Sequence, residues 1–68
     1  MASENALYNK YDELLRKKGV TTAEVCRETN VSPATMSHWK NNIYTPKADK
    51  LTRIAHYFGV PISYFFDS

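Results

Sequence analysis

The stretch from Thr22 to Asn42, TAEVCRETNVSPATMSHWKNN, leaves the chain few choices. Its first part, Thr22–Thr29, carries Val25, Cys26 and Thr29 on one face by the i, i+3, i+4 rule and predicts a short helix with one apolar side. Its last part, Pro33 to Lys40 or Asn41, predicts a second short helix whose Met36 and Trp39 meet that side. Between them, Asn30 tolerates the left-handed conformation of a sharp helix exit. Ser32 then offers a hydroxyl N-cap, and Pro33 sits where a first-turn N–H has no partner to lose. Two helices locked in this way leave the far face of the second uncovered: Pro33, Ala34, Ser37, His38 and Asn41, all small or polar. Such a helix is suited to entering a groove on a partner.

These residues resemble the helix-turn-helix of the phage Cro/C1-type repressor family, in its five-helix lambda-repressor-like form. Cys26 stands where that family keeps a small residue at the helix crossing, and Asn30 where it usually has a turn glycine. Val31, Met36 and Trp39 match its apolar positions after the turn, and Thr35-Met36-Ser37-His38-Trp39 matches its T-x-S-x-W run. The resemblance spans Tyr8 to Phe66. It implies an all-α, compact five-helix domain over residues 6–66 with its motif at 22–42, preceded by a flexible N-terminus over residues 1–5. There are departures. Leu15 and Lys40 replace an arginine–glutamate pair common in the family, so Leu15 is expected to pack on apolar surface near Trp39 and Lys40 to face phosphate. Thr22 replaces a glutamine that touches the DNA backbone, and its shorter hydroxyl can still donate to a phosphate oxygen.

Composition narrows the class further. Sixty-eight residues make one small domain with a marginal core and no room for an enzyme cleft. A single cysteine excludes an intramolecular disulfide and a cysteine-based zinc finger. No apolar run approaches the roughly 20 residues of a membrane span, and the polar N-terminus is no secretory signal, so a cytoplasmic protein is expected. The net charge of +2 is mild, but its distribution is not. From Val31 to Arg53 the basic residues are Lys40, Lys47, Lys50 and Arg53 against one acid, Asp49, while Asp12, Glu13, Glu24 and Glu28 gather elsewhere. That asymmetry suits a molecule with one phosphate-facing side.

Along the chain, Leu7, Tyr11, Leu14, Leu15 and Lys18 predict a helix from Ala6 to Lys18, ended by Gly19 after the cationic turn Arg16-Lys17-Lys18. Thr21-x-x-Glu24 is a capping-box pattern opening the next helix. Thr45-Pro46 repeats the Ser32-Pro33 signal and predicts a fourth helix from Pro46 or Lys47 to Phe58, with Leu51, Ile54, Ala55 and Phe58 inward and Gly59 closing it. Val60-Pro61 opens a last short helix, Pro61 to Phe66. Tyr57, Phe58, Tyr64, Phe65 and Phe66 exceed what so small a core can hold; either some cover the first helix or they form a partner surface.

Cys26 reads as a small buried packing residue rather than a redox or metal group, and Trp39 as core rather than a base-stacking platform. His38 and His56 have no carboxylate at metal-ligand spacing; His56 reads as a surface residue, and His38 divides between a base contact and ordinary surface. No nucleophile–base pair, carboxylate pair or glycine-rich phosphate loop is present, so neither an enzyme nor a metal or cofactor is expected. The resemblance implies sequence-specific binding of double-stranded DNA. Pro33, Ala34, Ser37 and His38 would lie at base edges, and Thr22, Thr35, Lys40, Asn41, Asn42, Tyr44 and Lys47 near phosphates. Tyr64 and Phe66 are the expected contacts of a weak homodimer, strengthened on a palindromic operator, with Phe65 in the core. Three alternatives stay open: a protein-interaction module on the same fold, the DNA-binding end of a longer repressor, and an antitoxin or restriction-controller role.

Overall fold

In a computed structural model that describes residues 5–66, the chain forms four α-helices: α1 (Ala6–Lys18), α2 (Thr22–Thr29), α3 (Pro33–Lys40) and α4 (Ala48–Phe58). A single 3-10 turn, Ile62–Phe65, stands where the sequence predicts a fifth α-helix over Pro61–Phe66. There is no strand among the described residues.

Local chemistry explains most of the boundaries. Gly19, with φ of 73°, ends α1 and returns its N–H to Leu15 O at 2.8 Å. Thr21 Oγ1 accepts from Glu24 N at 3.2 Å to open α2, and Asn30 closes that helix in the left-handed region at φ 62°. Ser32 Oγ accepts from Thr35 N at 3.1 Å to open α3, with Pro33 in the first turn. The exit of α3 is a Schellman turn. Asn42, at φ 60°, sends its N–H to Trp39 O at 3.0 Å, and Ile43 N–H reaches back to His38 O at 2.8 Å.

One boundary differs from expectation. α4 begins at Ala48, so its N-cap is Lys47, which makes no side-chain cap bond, rather than Thr45. Pro46 is instead buried ahead of the cap while Leu51 is buried four positions after it, the pattern of a hydrophobic staple. Asn5, grouped by sequence with a flexible start, donates through Nδ2 to Trp39 O at 2.6 Å. It thereby adds a second donor to a carbonyl that already accepts from Asn42 N–H, and ties the start of α1 to the end of α3. Residues 1–4 of that expected flexible start lie outside the described residues.

The core is built around Trp39, which is wholly buried. Tyr8, Tyr11 and Phe65 surround it at centroid distances of 5.4, 5.3 and 6.2 Å. Its indole Nε1 has no hydrogen-bond partner among the described residues, a local cost the packing must offset. Val25, Val31, Met36, Leu51 and Ile54 fill the space between α2, α3 and α4. Cys26 is buried there and unpaired, and burial pushes its thiol pKa up, which disfavours thiolate chemistry. Leu15 is half-buried against this core, as expected of an apolar replacement, although the rings around Trp39 come from other residues.

The surplus aromatics mostly cover α1. Phe58 meets Tyr11 at 6.1 Å, Lys18 Nζ lies 5.3 Å from the Tyr57 ring, and Lys10 Nζ lies 5.6 Å from the Tyr64 ring. Lys10 also donates to Tyr64 O at 2.9 Å, so Tyr64 is half-buried and engaged by its own chain rather than pointing free. Phe65 is buried, and Phe66 is 60% exposed.

Candidate nucleic-acid interface

With Met36 and Trp39 buried, the 100° step of an α-helix turns Ala34 and Asn41 to the crest of α3. Pro33, Ser37 and Lys40 fall on one flank, and Thr35 and His38 on the other. Each flank borders a groove. The first is formed by Tyr8, Thr22, Pro33, Met36, Ser37 and Lys40, bringing together four residues expected at DNA from their sequence positions. The second is formed by Thr35 with Tyr44, Thr45, Pro46, Lys47, Asp49 and Lys50. The uncovered helix therefore runs as a ridge between two concave walls, each holding lysine and hydroxyl donors.

In the first groove, Thr22 is held from below. Tyr11 OH and Thr22 Oγ1 lie 2.9 Å apart, and Tyr11 is fully buried. Burial raises the Tyr11 pKa to about 12, with the Thr22 bond partly opposing the shift, so the phenol keeps its proton. With Tyr11 as donor, Thr22 retains its own hydrogen for an anion in the groove. Lys40 is exposed, and no carboxylate pairs with it among the described residues. The ion pairs among the described residues, such as Arg16–Asp12 at 2.9 Å, join other side chains.

In the second groove, Lys47 and Lys50 stand in or beside the first turn of α4, with Asp49 between them. Lys50 is not among the residues that the sequence resemblance implies, although its i+3 spacing from Lys47 signals a shared face. Tyr8, in the other groove, carries no such signal. Tyr44 Oη lies 3.1 Å from His38 Nδ1, with ring centroids 5.1 Å apart. Thr35 Oγ1 and Ser32 Oγ are 2.9 Å apart, so the Thr35 hydroxyl also belongs to the cap of α3. Asn41 donates through Nδ2 to Ser37 O at 3.0 Å, folding its amide back on the helix. Asn42 is exposed, lines neither groove and adopts the left-handed turn. Pro33 and Ala34 are exposed and present only carbon to a partner. Tyr64 and Phe66 are likewise outside both grooves.

Among the described residues no cluster of three or more metal-ligating side chains exists, and no helix is long and apolar enough to cross a membrane. A family model described as "Helix-turn-helix domain" matches residues 12–68, most of the chain. The chain belongs to the helix-turn-helix domain family. No curated protein and no solved structure matches it closely enough to supply a nearer relative. Membership of this helix-turn-helix family makes DNA the indicated partner and transcription regulation the indicated role. It also accounts for the pairing of α2 with α3: the first helix supports the second, which carries the exposed ridge.

Proposed function

We propose that the protein is a cytoplasmic transcriptional regulator of the phage Cro/C1 type that binds specific double-stranded DNA through α3. One observation carries this reading: the polar ridge of α3 is flanked on both sides by grooves whose lysines form no ion pair among the described residues. A helix lying in the major groove has a phosphate strand on either side. Lys40 and Thr22 would face one strand, and Lys47, Lys50 and Thr35 the other. Base edges would meet Ala34, Ser37 and His38 along the ridge, with Pro33 offering apolar contact. Phosphate contacts position such a domain, and ridge contacts specify the sequence.

Affinity from one module of this size is low, so two copies are expected on a palindromic operator. Phe66, 60% exposed at the end of the 3-10 turn, is the best-supported contact between copies; Tyr64 contributes what its partly covered ring leaves free. A patch this small falls below the roughly 1,000 Å² of a stable interface, so DNA would complete the dimer. Selection from a random duplex library tests the proposal. A palindromic motif with half-sites about one helical turn apart supports it. Failure to enrich any duplex would sink it and favour an interaction module on the same fold.

A further inference from the structure

We infer that Tyr44 sets the hydrogen-bond polarity of His38, making the pair a donor that selects guanine over cytosine in the major groove. The inference rests on the proposed entry of α3 into DNA. Tyr44, expected from sequence at phosphate, becomes instead a positioning residue for His38.

The contact arises from the way α3 ends. Asn42, at φ 60°, turns the chain back, and the Ile43 N–H bond to His38 O at 2.8 Å anchors the loop on the same residue that Tyr44 meets. Tyr44 then brings its hydroxyl to 3.1 Å from Nδ1, with the two rings tilted by 54°. Two connections from one loop thus fix His38, one to its backbone and one to its ring. Tyr44 is 47% exposed, and its covered side lines the groove shared with Thr35, Pro46 and Lys47. Among the described residues no carboxylate forms an ion pair with His38.

A neutral imidazole carries one hydrogen, on either nitrogen, and a partner on one nitrogen decides the role of the other. A phenol O–H is a strong donor and a weak acceptor; a bare imidazole nitrogen is a strong acceptor. The favoured arrangement therefore has Tyr44 donating to Nδ1, which leaves the hydrogen on Nε2. Protonation of the ring keeps Nε2 a donor too, with Nδ1–H then donating to the phenol oxygen. His38 thus offers a donor in either state. In the major groove guanine presents two adjacent acceptors, N7 and O6, with no donor between them, whereas cytosine presents the N4 amino donor. A fixed Nε2–H favours guanine and rejects cytosine. Without the Tyr44 hydroxyl the ring can hold its hydrogen on Nδ1, and Nε2 then accepts from cytosine or adenine amino groups.

The test compares the intact chain with His38→Ala and Tyr44→Phe, using the duplex enriched by random selection and its single-base variants. A further duplex carries 7-deazaguanine, which lacks the N7 acceptor. The intact chain should favour guanine over cytosine at one position per half-site by roughly ten-fold or more, and lose affinity for the 7-deazaguanine duplex. His38→Ala should flatten that position alone. Tyr44→Phe should lower the guanine-to-cytosine ratio there while leaving other positions unchanged. Nitrogen-15 NMR of the free protein at pH 8 should show hydrogen on Nε2, shifting toward a mixture in Tyr44→Phe. An unchanged tautomer and base ratio in Tyr44→Phe overturns the inference. So does an equal loss on all duplexes with a shallower salt dependence, which would make Tyr44 a phosphate contact. If the intact chain selects no duplex, the DNA reading and this inference fall together; selection without a His38-dependent position removes only the inference.

Discussion

Removing the hydroxyl of Thr22 should cost the fold more than removing that of Tyr11, although the two groups share one hydrogen bond of 2.9 Å. The asymmetry follows from burial. Tyr11 is 0% exposed, whereas Thr22 is half-buried at the rim of a groove. In Tyr11→Phe the bond is lost, but the threonine hydroxyl turns to water, so the net cost is that of an ordinary hydrogen bond, about 0.5–1.5 kcal/mol. In Thr22→Val the shape is kept, and the phenol hydroxyl is stranded where water does not reach. That costs the desolvation of an unpaired polar group, about 1–3 kcal/mol. Valine and threonine have similar helix propensities, so the first turn of α2 contributes little to the difference. The double variant strands nothing and should be more stable than the sum of the two losses, with a coupling of about 1 kcal/mol. Thermal unfolding followed by far-UV circular dichroism measures all four proteins, and a 1 kcal/mol change moves the midpoint of a domain this size by about 4–8 °C. Equal costs, or a larger loss in Tyr11→Phe, would refute the argument by showing that solvent reaches the phenol.

The same buried phenol predicts alkaline unfolding. Its folded pKa of about 12 exceeds the ordinary value of 10.0, so the stabilisation is complete below pH 10 and is lost as pH rises toward 12. Each pH unit in that window should remove about 1.4 kcal/mol, and Tyr11→Phe should lack this component of the pH profile. DNA affinity should fall with salt, with a log–log slope near −0.9 per phosphate neutralised. Lys40→Ala or Lys47→Ala should weaken binding to every sequence and flatten that slope by about one unit; a salt-independent affinity would contradict phosphate contact in both grooves. Phe66→Glu should leave the thermal midpoint nearly unchanged, since the ring is 60% exposed, while abolishing cooperative occupation of two half-sites. A folded variant that stays cooperative would put the contact between copies elsewhere.

Much of this architecture is legible from local chemistry. The limits of α1 and α2, the Ser32 cap and the left-handed exits at Gly19, Asn30 and Gly59 depend on partners within a few residues, and sequence displays such partners directly. The inward sides of the helices are legible for the same reason, because an apolar stripe at helical spacing must be covered. Local reasoning fails where two signals compete. Thr45-Pro46 has the form of a cap, yet burying Pro46 ahead of α4 leaves Lys47 as the cap and Thr45 exposed. The final turn, too short to be stable alone, takes its 3-10 form in contact with α1 and α4.

The candidate site divides along the same line. The exposed ridge of α3 follows from sequence alone, since burying Met36 and Trp39 dictates which residues face outward. Its supports do not. Tyr11 meets Thr22 across 11 residues and Asn5 reaches Trp39 across 34, separations at which no periodicity indicates a neighbour. The Tyr44–His38 contact spans only 6 residues, yet it exists because Asn42 adopts a left-handed turn that brings the loop back onto the helix. Sequence determined which residues can donate to an anion or a base. Tertiary structure decided which of those donors are already held, because a hydrogen bond depends on a few ångströms of separation that only packing sets.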